Sequence, residues 1–186
     1  MRAAVMLSLL AAACHAEGAS AADPALAIDR AETAARARLE VASPSFPAGG
    51  AIPLRHSSYG DNVSPALAWR GVPVGAKSLV LMVEDPDATS QKPFVHWLAW
   101  NLPPGGTLGE KAVPAGAVQG KNGRGQTGWF GPHPPGTTPH HYHFQLFALD
   151  APLTLAAGAD REALLAAMKG HVLAKGEAVG LFGKPR

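Results

Sequence analysis

Residues 78–83 read Ser-Leu-Val-Leu-Met-Val, apolar without interruption after the first position, and Glu84-Asp85-Pro86 ends the run. A half-exposed strand alternates with period two, so an unbroken apolar run fits a strand buried on both faces. Proline has no amide proton to give to a sheet ladder, so Pro86 closes the strand and leaves Asp85 at its mouth. Whatever this chain folds into is therefore built around a central strand that delivers a carboxylate to the end of a sheet.

The rest of the chain has the same texture. Its 186 residues fit one domain with room for a core. Its 21 glycines and 17 prolines divide short apolar runs, which favours turns and strands over long helices. Residues 39–41 alternate like a strand. Pro44, Pro47, Gly49-Gly50 and Pro53 then break the chain, and Tyr59-Gly60-Asp61-Asn62 is turn chemistry. Residues 64–69 read as a strand entered through Pro65, and 94–102 as another ended by Pro103-Pro104. In 94–102, simple alternation puts His96, Leu98 and Trp100 on one face and Val95, Trp97 and Ala99 on the other. Residues 140–149 form a third strand, with His140, Tyr142, Phe144, Leu146 and Ala148 on its more apolar, inward face. Asp160 can cap a helix through Ala163, Leu164, Leu165, Ala167 and Met168 that ends at Gly170. Residues 177–182 are a last short strand. The expected fold is mainly β: a Greek-key-like β-sandwich with a short C-terminal helix.

Ahead of this lies different material. Arg2 followed by the apolar stretch 3–13 and the small residues Ala19-Ser20-Ala21-Ala22 fits a signal peptide over 1–22, too short for a membrane span. Ala11-Ala12-Ala13-Cys14 is similar to a bacterial lipobox, but the usual leucine sits one place too early, at Leu10. Export to a bacterial periplasm is the favoured expectation, and lipid anchoring through Cys14 the alternative. Cleavage after Ala21 or Ala22 leaves a mature chain with no cysteine, held by its core and not by disulfides. Residues 23–38 alternate charges without a consistent apolar face and read as a linker or loosely docked arm, with the domain over 39–186.

A formal net charge of +2 is too small to imply a nucleic-acid partner, and there is no cluster of Lys and Arg among aromatics, so none is expected. The chemistry-bearing residues are Asp85, His96 eleven residues beyond it, and His140. Together they are acidic, basic and hydrogen-bonding at once, which suits a small anion or phosphate and can serve acid–base chemistry. Plainer readings compete. Asp85 and Asp87 flank Pro86 as turn formers do, a lone histidine on an apolar face is often a satisfied core residue, and Trp69, Trp97 and Trp100 read as core packing. His141 and His143 share a face, but two ligands make a weak metal site, so no metal or other cofactor is expected. The sequence has no Gly-x-Ser-x-Gly elbow, and the expected mature chain has no cysteine nucleophile, which argues against covalent catalysis.

A series of motifs, in order, carries a resemblance. They are Asp61-Asn62-Val63-Ser64-Pro65-Ala66-Leu67-Ala68-Trp69, then residues 78–88 ending in Glu84-Asp85-Pro86-Asp87-Ala88, His96-Trp97 and Gly120-Lys121-Asn122. Gly128-Trp129-Phe130-Gly131-Pro132-His133-Pro134-Pro135 and His140-His141-Tyr142-His143-Phe144 follow, with Phe147-Ala148-Leu149-Asp150 last. From about residue 39 to 183 the chain resembles the phosphatidylethanolamine-binding protein family, in its bacterial Raf-kinase-inhibitor-like branch. The resemblance implies a β-sandwich with a pocket for phosphate-like anions and phospholipid head groups. It places Asp85, His96, His140 and Tyr142 in that pocket, with Gly131, Pro134 and Pro135 supplying rim backbone. Thr89 stands where the family often has proline, and Trp129 where tyrosine is common. The resemblance also raises a protein partner, such as a protease or kinase, as an alternative to a binding module, and a homodimer; an acid–base hydrolase is the least favoured class.

Overall fold

A computed structural model describes residues 25–186; the expected leader, its cleavage site, Cys14 and Asp23 lie outside them. In chain order the elements are β1 (Ala37–Arg38), β2 (Glu40–Ala42), β3 (Leu67–Arg70), β4 (Ser78–Asp85), β5 (Phe94–Leu102), β6 (Thr107–Leu108), β7 (Val118–Gln119), β8 (His140–Leu149), α1 (Arg161–Met168) and β9 (Val172–Phe182). The strands form a six-stranded sheet of order β1-β9-β8-β4-β5-β7 and a three-stranded sheet of order β2-β3-β6. Within the larger sheet, β8-β4-β5-β7 is a Greek key: three successive strands lie side by side, and the fourth returns beside the first. Among the described residues, no helix is long and apolar enough to cross a membrane.

β4 is buried along all eight residues, as its unbroken apolar run requires. Leu79, Leu81 and Val83 face the small sheet and share a core with Leu67, Trp69, Phe144 and Leu146. Val80 and Met82 face the opposite way, onto Leu98, Trp100, Phe147 and the α1 residues Leu164, Leu165 and Met168. The same alternation separates the two acids that end the strand. Asp85 continues the sandwich face, while Glu84 continues the helix face.

Two local features differ from simple alternation. Val83 pairs with Trp97 and Glu84 with Val95, so His96 is an extra residue with no partner on β4, the mark of a β-bulge. Val95 therefore joins Leu98 and Trp100 on the helix face, and His96 does not; its ring meets Tyr142 edge-on at 5.0 Å, on the sandwich face. The expected grouping of His96 with Leu98 and Trp100 fails because a bulge resets the phase of a strand. The last strand is also longer than expected. β9 starts at Val172, and Gly176 within it lets the Leu39 carbonyl approach where any Cβ would overlap it.

The segment read as a linker or loosely docked arm is held firmly. Ala27 is fully buried, and its N–H donates to Glu84 Oε2 at 2.8 Å. The N–H of Ile28 donates to Gln145 Oε1 at 2.6 Å, and the Ala25 carbonyl accepts from Arg161 at 2.6 Å. Lys175 Nζ donates to the Ile28 carbonyl at 2.5 Å. Side chains of the domain grip the backbone of the segment, so it docks without the apolar stripe that sequence reading looks for. Its far end, β1, runs parallel to β9. α1 follows its sequence signals: Asp160 accepts from the Ala163 N–H at 2.9 Å, and Gly170 has φ +84° just past the end.

Candidate ligand pocket

Three chain segments meet where β4, β5 and β8 reach the same end of the large sheet. β4 ends at Asp85 and β8 begins at His140. His140 Nδ1 lies 2.8 Å from Asp85 Oδ2. The other carboxylate oxygen, Asp85 Oδ1, accepts the backbone N–H groups of Asp87 at 2.8 Å and Ala88 at 3.2 Å, because Pro86 turns the chain back on itself. Asp85 thus receives three hydrogen bonds, and its carboxylate fixes the His140 ring so that Nδ1 carries the hydrogen and Nε2 is left for the pocket. Burial holds the Asp85 carboxyl above its ordinary value, although the hydrogen bond and charge of His140 pull the other way.

His96 is fixed by a different partner. Its Nδ1 donates to the Phe130 carbonyl at 2.6 Å, since a carbonyl can only accept. The ring is 2 % exposed and packs against both Phe94 and Phe130, with centroids at 4.9 and 5.9 Å. Burial pushes its pKa down to about 4, the Phe130 hydrogen bond opposing, so the imidazole stays neutral at ordinary pH. With Nδ1–H committed, Nε2 presents a lone pair.

These groups line one pocket of about 210 Å³. That is below the roughly 300–1,000 Å³ of sites for drug-sized ligands and suits a head group. Of the residues singled out from the sequence, Asp85, His96, Pro134, Pro135 and His140 are on its wall. Tyr142 and Gly131 are not. Tyr142 is fully buried beneath His96, and its hydroxyl, turned toward the His133 backbone, finds no partner at hydrogen-bond geometry among the described residues. Gly131 supports the wall from behind. Its N–H is taken by Asn62 Oδ1 at 2.8 Å, which leaves no donor there for a ligand, and a Cβ would overlap the His56 carbonyl. The Pro134 carbonyl accepts from the Tyr59 hydroxyl at 2.7 Å, which pins the proline rim.

Ala88, Thr89, Phe94, Arg124, Phe130 and His133 complete the lining. Arg124 is the important addition. Its guanidinium lies 4.8 Å from the Phe130 ring centroid, a cation held at the mouth by a π face. The loop that carries it is built by Asn122, whose Oδ1 accepts the N–H groups of Arg124 at 3.0 Å and Gln126 at 3.2 Å. In the sequence Gly123-Arg124-Gly125 looks like any polar turn; only the sharing of an aromatic wall with His96 marks it. The neighbouring histidines are engaged elsewhere, His141 with Asp87 at 2.7 Å and His143 with Glu177 at 2.9 Å. Two larger grooves, about 610 and 630 Å³, contain none of the acid–base residues of the pocket.

The sequence model of the phosphatidylethanolamine-binding protein family matches residues 42–183, the span that holds every pocket residue. The chain belongs to this family. It is 47% identical over 139 residues to a UPF0098 protein of Methanothermobacter thermautotrophicus, covering 72% of this chain and 91% of that one. A solved structure from Chlamydia trachomatis, described as that of a candidate phosphatidylethanolamine-binding protein homologue, superposes with a TM-score of 0.74 at 38% identity. The match spans 81% of this chain and all of the other. A further relative, 44% identical over 123 residues, is a candidate lipoprotein of Mycobacterium tuberculosis, LppC; the match covers 65% of this chain and 60% of LppC. The mainly β sandwich with one short C-terminal helix is the fold that this family membership implies.

Proposed function

We propose that this member of the phosphatidylethanolamine-binding protein family is a binding module for a small phosphate-bearing group, such as phosphoethanolamine, a phosphate monoester. The observation that carries the reading is the pair of imidazoles. Each has its Nδ1 anchored, His140 on Asp85 at 2.8 Å and His96 on the Phe130 carbonyl at 2.6 Å, so both Nε2 atoms remain for one small pocket. Arg124 supplies a fixed positive charge, and the Asp85–His140 pair supplies a second donor when it takes up a proton. Phe94, Phe130, Pro134 and Pro135 wall out water and accommodate the carbon stem of a head group. Among the described residues neither Nε2 is hydrogen-bonded to a hydroxyl or thiol, which favours binding over covalent chemistry.

Export fits the same reading. The 1–22 segment has the signal-peptide pattern, and the mycobacterial relative named as a candidate lipoprotein supports a place outside the cytoplasm.

Affinity for phosphoethanolamine, measured by calorimetry at about pH 7, is expected to fall roughly tenfold when Arg124→Ala removes the fixed charge at the mouth, and an unchanged affinity would remove Arg124 from the binding site.

A further inference from the structure

The pocket contains an acceptor, and an anion site has little use for one unless the ligand brings a proton. We propose, resting on the phosphate-binding reading, that His96 Nε2 accepts a hydrogen bond from the bound group, so that the pocket selects a singly protonated phosphate monoester over a sulfate ester of the same charge and shape.

The geometry fixes this by elimination. The Phe130 carbonyl can only accept, so the hydrogen of neutral His96 is on Nδ1 and the lone pair is on Nε2. The charged and titratable groups around the ring are Asp85 from the end of β4, His140 and Tyr142 from β8, Arg124 from the loop after β7, and His133 from the loop before β8. Arg124 at the mouth repels a positive charge on the ring, and burial, with His140 acting in the same direction, holds His96 neutral down to about pH 4. Asp85, the other acceptor in the pocket, already receives three hydrogen bonds. Among the described residues, none donates to His96 Nε2. A proton-free anion oxygen placed against it meets lone pair with lone pair, whereas a P–OH donates to it.

Methyl phosphate and methyl sulfate separate the two cases. At about pH 5 both are monoanions, because the second ionisation of a phosphate monoester lies near pH 6, and only the phosphate carries a hydrogen. Isothermal titration of the full chain at that pH is expected to give methyl phosphate at least about tenfold tighter binding than methyl sulfate, the value of one hydrogen bond against one unpaired acceptor. In His96→Asn the shorter amide keeps a donor near the Nδ1 position for Phe130 and deletes Nε2, and the ratio should collapse to about one. A melting curve of the same sample shows whether the variant is folded; if it is not, the wild-type ratio still decides. Equal affinities in the wild type, or a preference that survives in folded His96→Asn, overturn the inference and leave an anion site standing. Binding of neither ester overturns both it and the phosphate-binding reading.

Discussion

Replacing Arg161 by leucine is expected to lower the melting temperature by roughly 6–20 °C, the equivalent of about 3–5 kcal/mol in a chain of this size. The reason lies on the helix face of β4. Glu84 is completely buried, and Arg161 Nε donates to its Oε1 at 2.5 Å. The second oxygen, Oε2, accepts the Ala27 N–H and the Gln145 amide, both at 2.8 Å. Burial alone would make Arg161 easier to deprotonate, but the charge and hydrogen bond of Glu84 outweigh it and hold the guanidinium charged. Removing Arg161 leaves a carboxylate in the core with two neutral donors and no counter-charge. It also removes the bond by which Arg161 holds the Ala25 carbonyl, so trypsin should cut after Arg30 and Arg36 sooner in the variant. A double Glu84→Leu, Arg161→Leu variant should regain only part of the loss, because the Ala27 N–H and the Gln145 amide still lack an acceptor. A single variant that melts within about 2 °C of wild type contradicts this account of the network.

The second large effect is on acid stability. His96 takes a proton at about pH 4 in the fold against 6.5 when unperturbed. A folded-state value lowered in this way means that the unfolded chain binds a proton the native protein refuses. Stability is full above about pH 6.5 and is lost as pH falls toward 4, by about 3 kcal/mol in total at 1.36 kcal/mol per unit. Asp85 acts in the opposite sense: burial raises its value, so its protonation favours the fold. Asp87 adds to the acid loss. Burial pushes its carboxyl up, but hydrogen bonds from His141 bring it below the usual range, and that stabilisation disappears as the acid is protonated. The wild-type profile is therefore a sum, and the contribution of His96 is read as a difference. In urea titrations at about pH 7 and about pH 4.5, His96→Asn should lose clearly less stability than wild type between the two. Equal losses would mean that the buried imidazole is not neutral in the fold.

What the sequence made legible follows from where its signals are. The burial of β4, the ends of β5 at Pro103 and of β8, and both caps of α1 are set by neighbours within a few residues, and each was readable. Two-residue strands such as β6 and β7 exist only through partners on other segments, and no local pattern announces them. The bulge at His96 is an insertion relative to β4, so it is invisible in β5 alone. The arm docks through bonds from Ala27 to Glu84, from Ile28 to Gln145 and from Arg161 to Ala25, which span 57, 117 and 136 residues. In the pocket, Asp85, His96 and His140 stood out because ionisable groups at strand ends are chemically conspicuous. Gly131 stood out too, but its part is to let loops pack closely, and its N–H donates to Asn62 and not to the pocket. Arg124 and Phe130 remained hidden, since a turn arginine becomes a pocket cation only beside the ring that holds it.

The account stands or falls on whether the Asp85–His140 pair holds a phosphate group. Phosphoethanolamine titrated into wild type and His140→Ala, with hydrolysis of a phosphate ester followed in parallel, tests this directly. The predicted result is saturable binding in wild type, a loss of roughly tenfold to a hundredfold in the variant as one charge-assisted hydrogen bond is removed, and turnover in neither. Undiminished binding by a folded His140→Ala protein would contradict the account, and so would ester turnover in wild type that disappears in the variant.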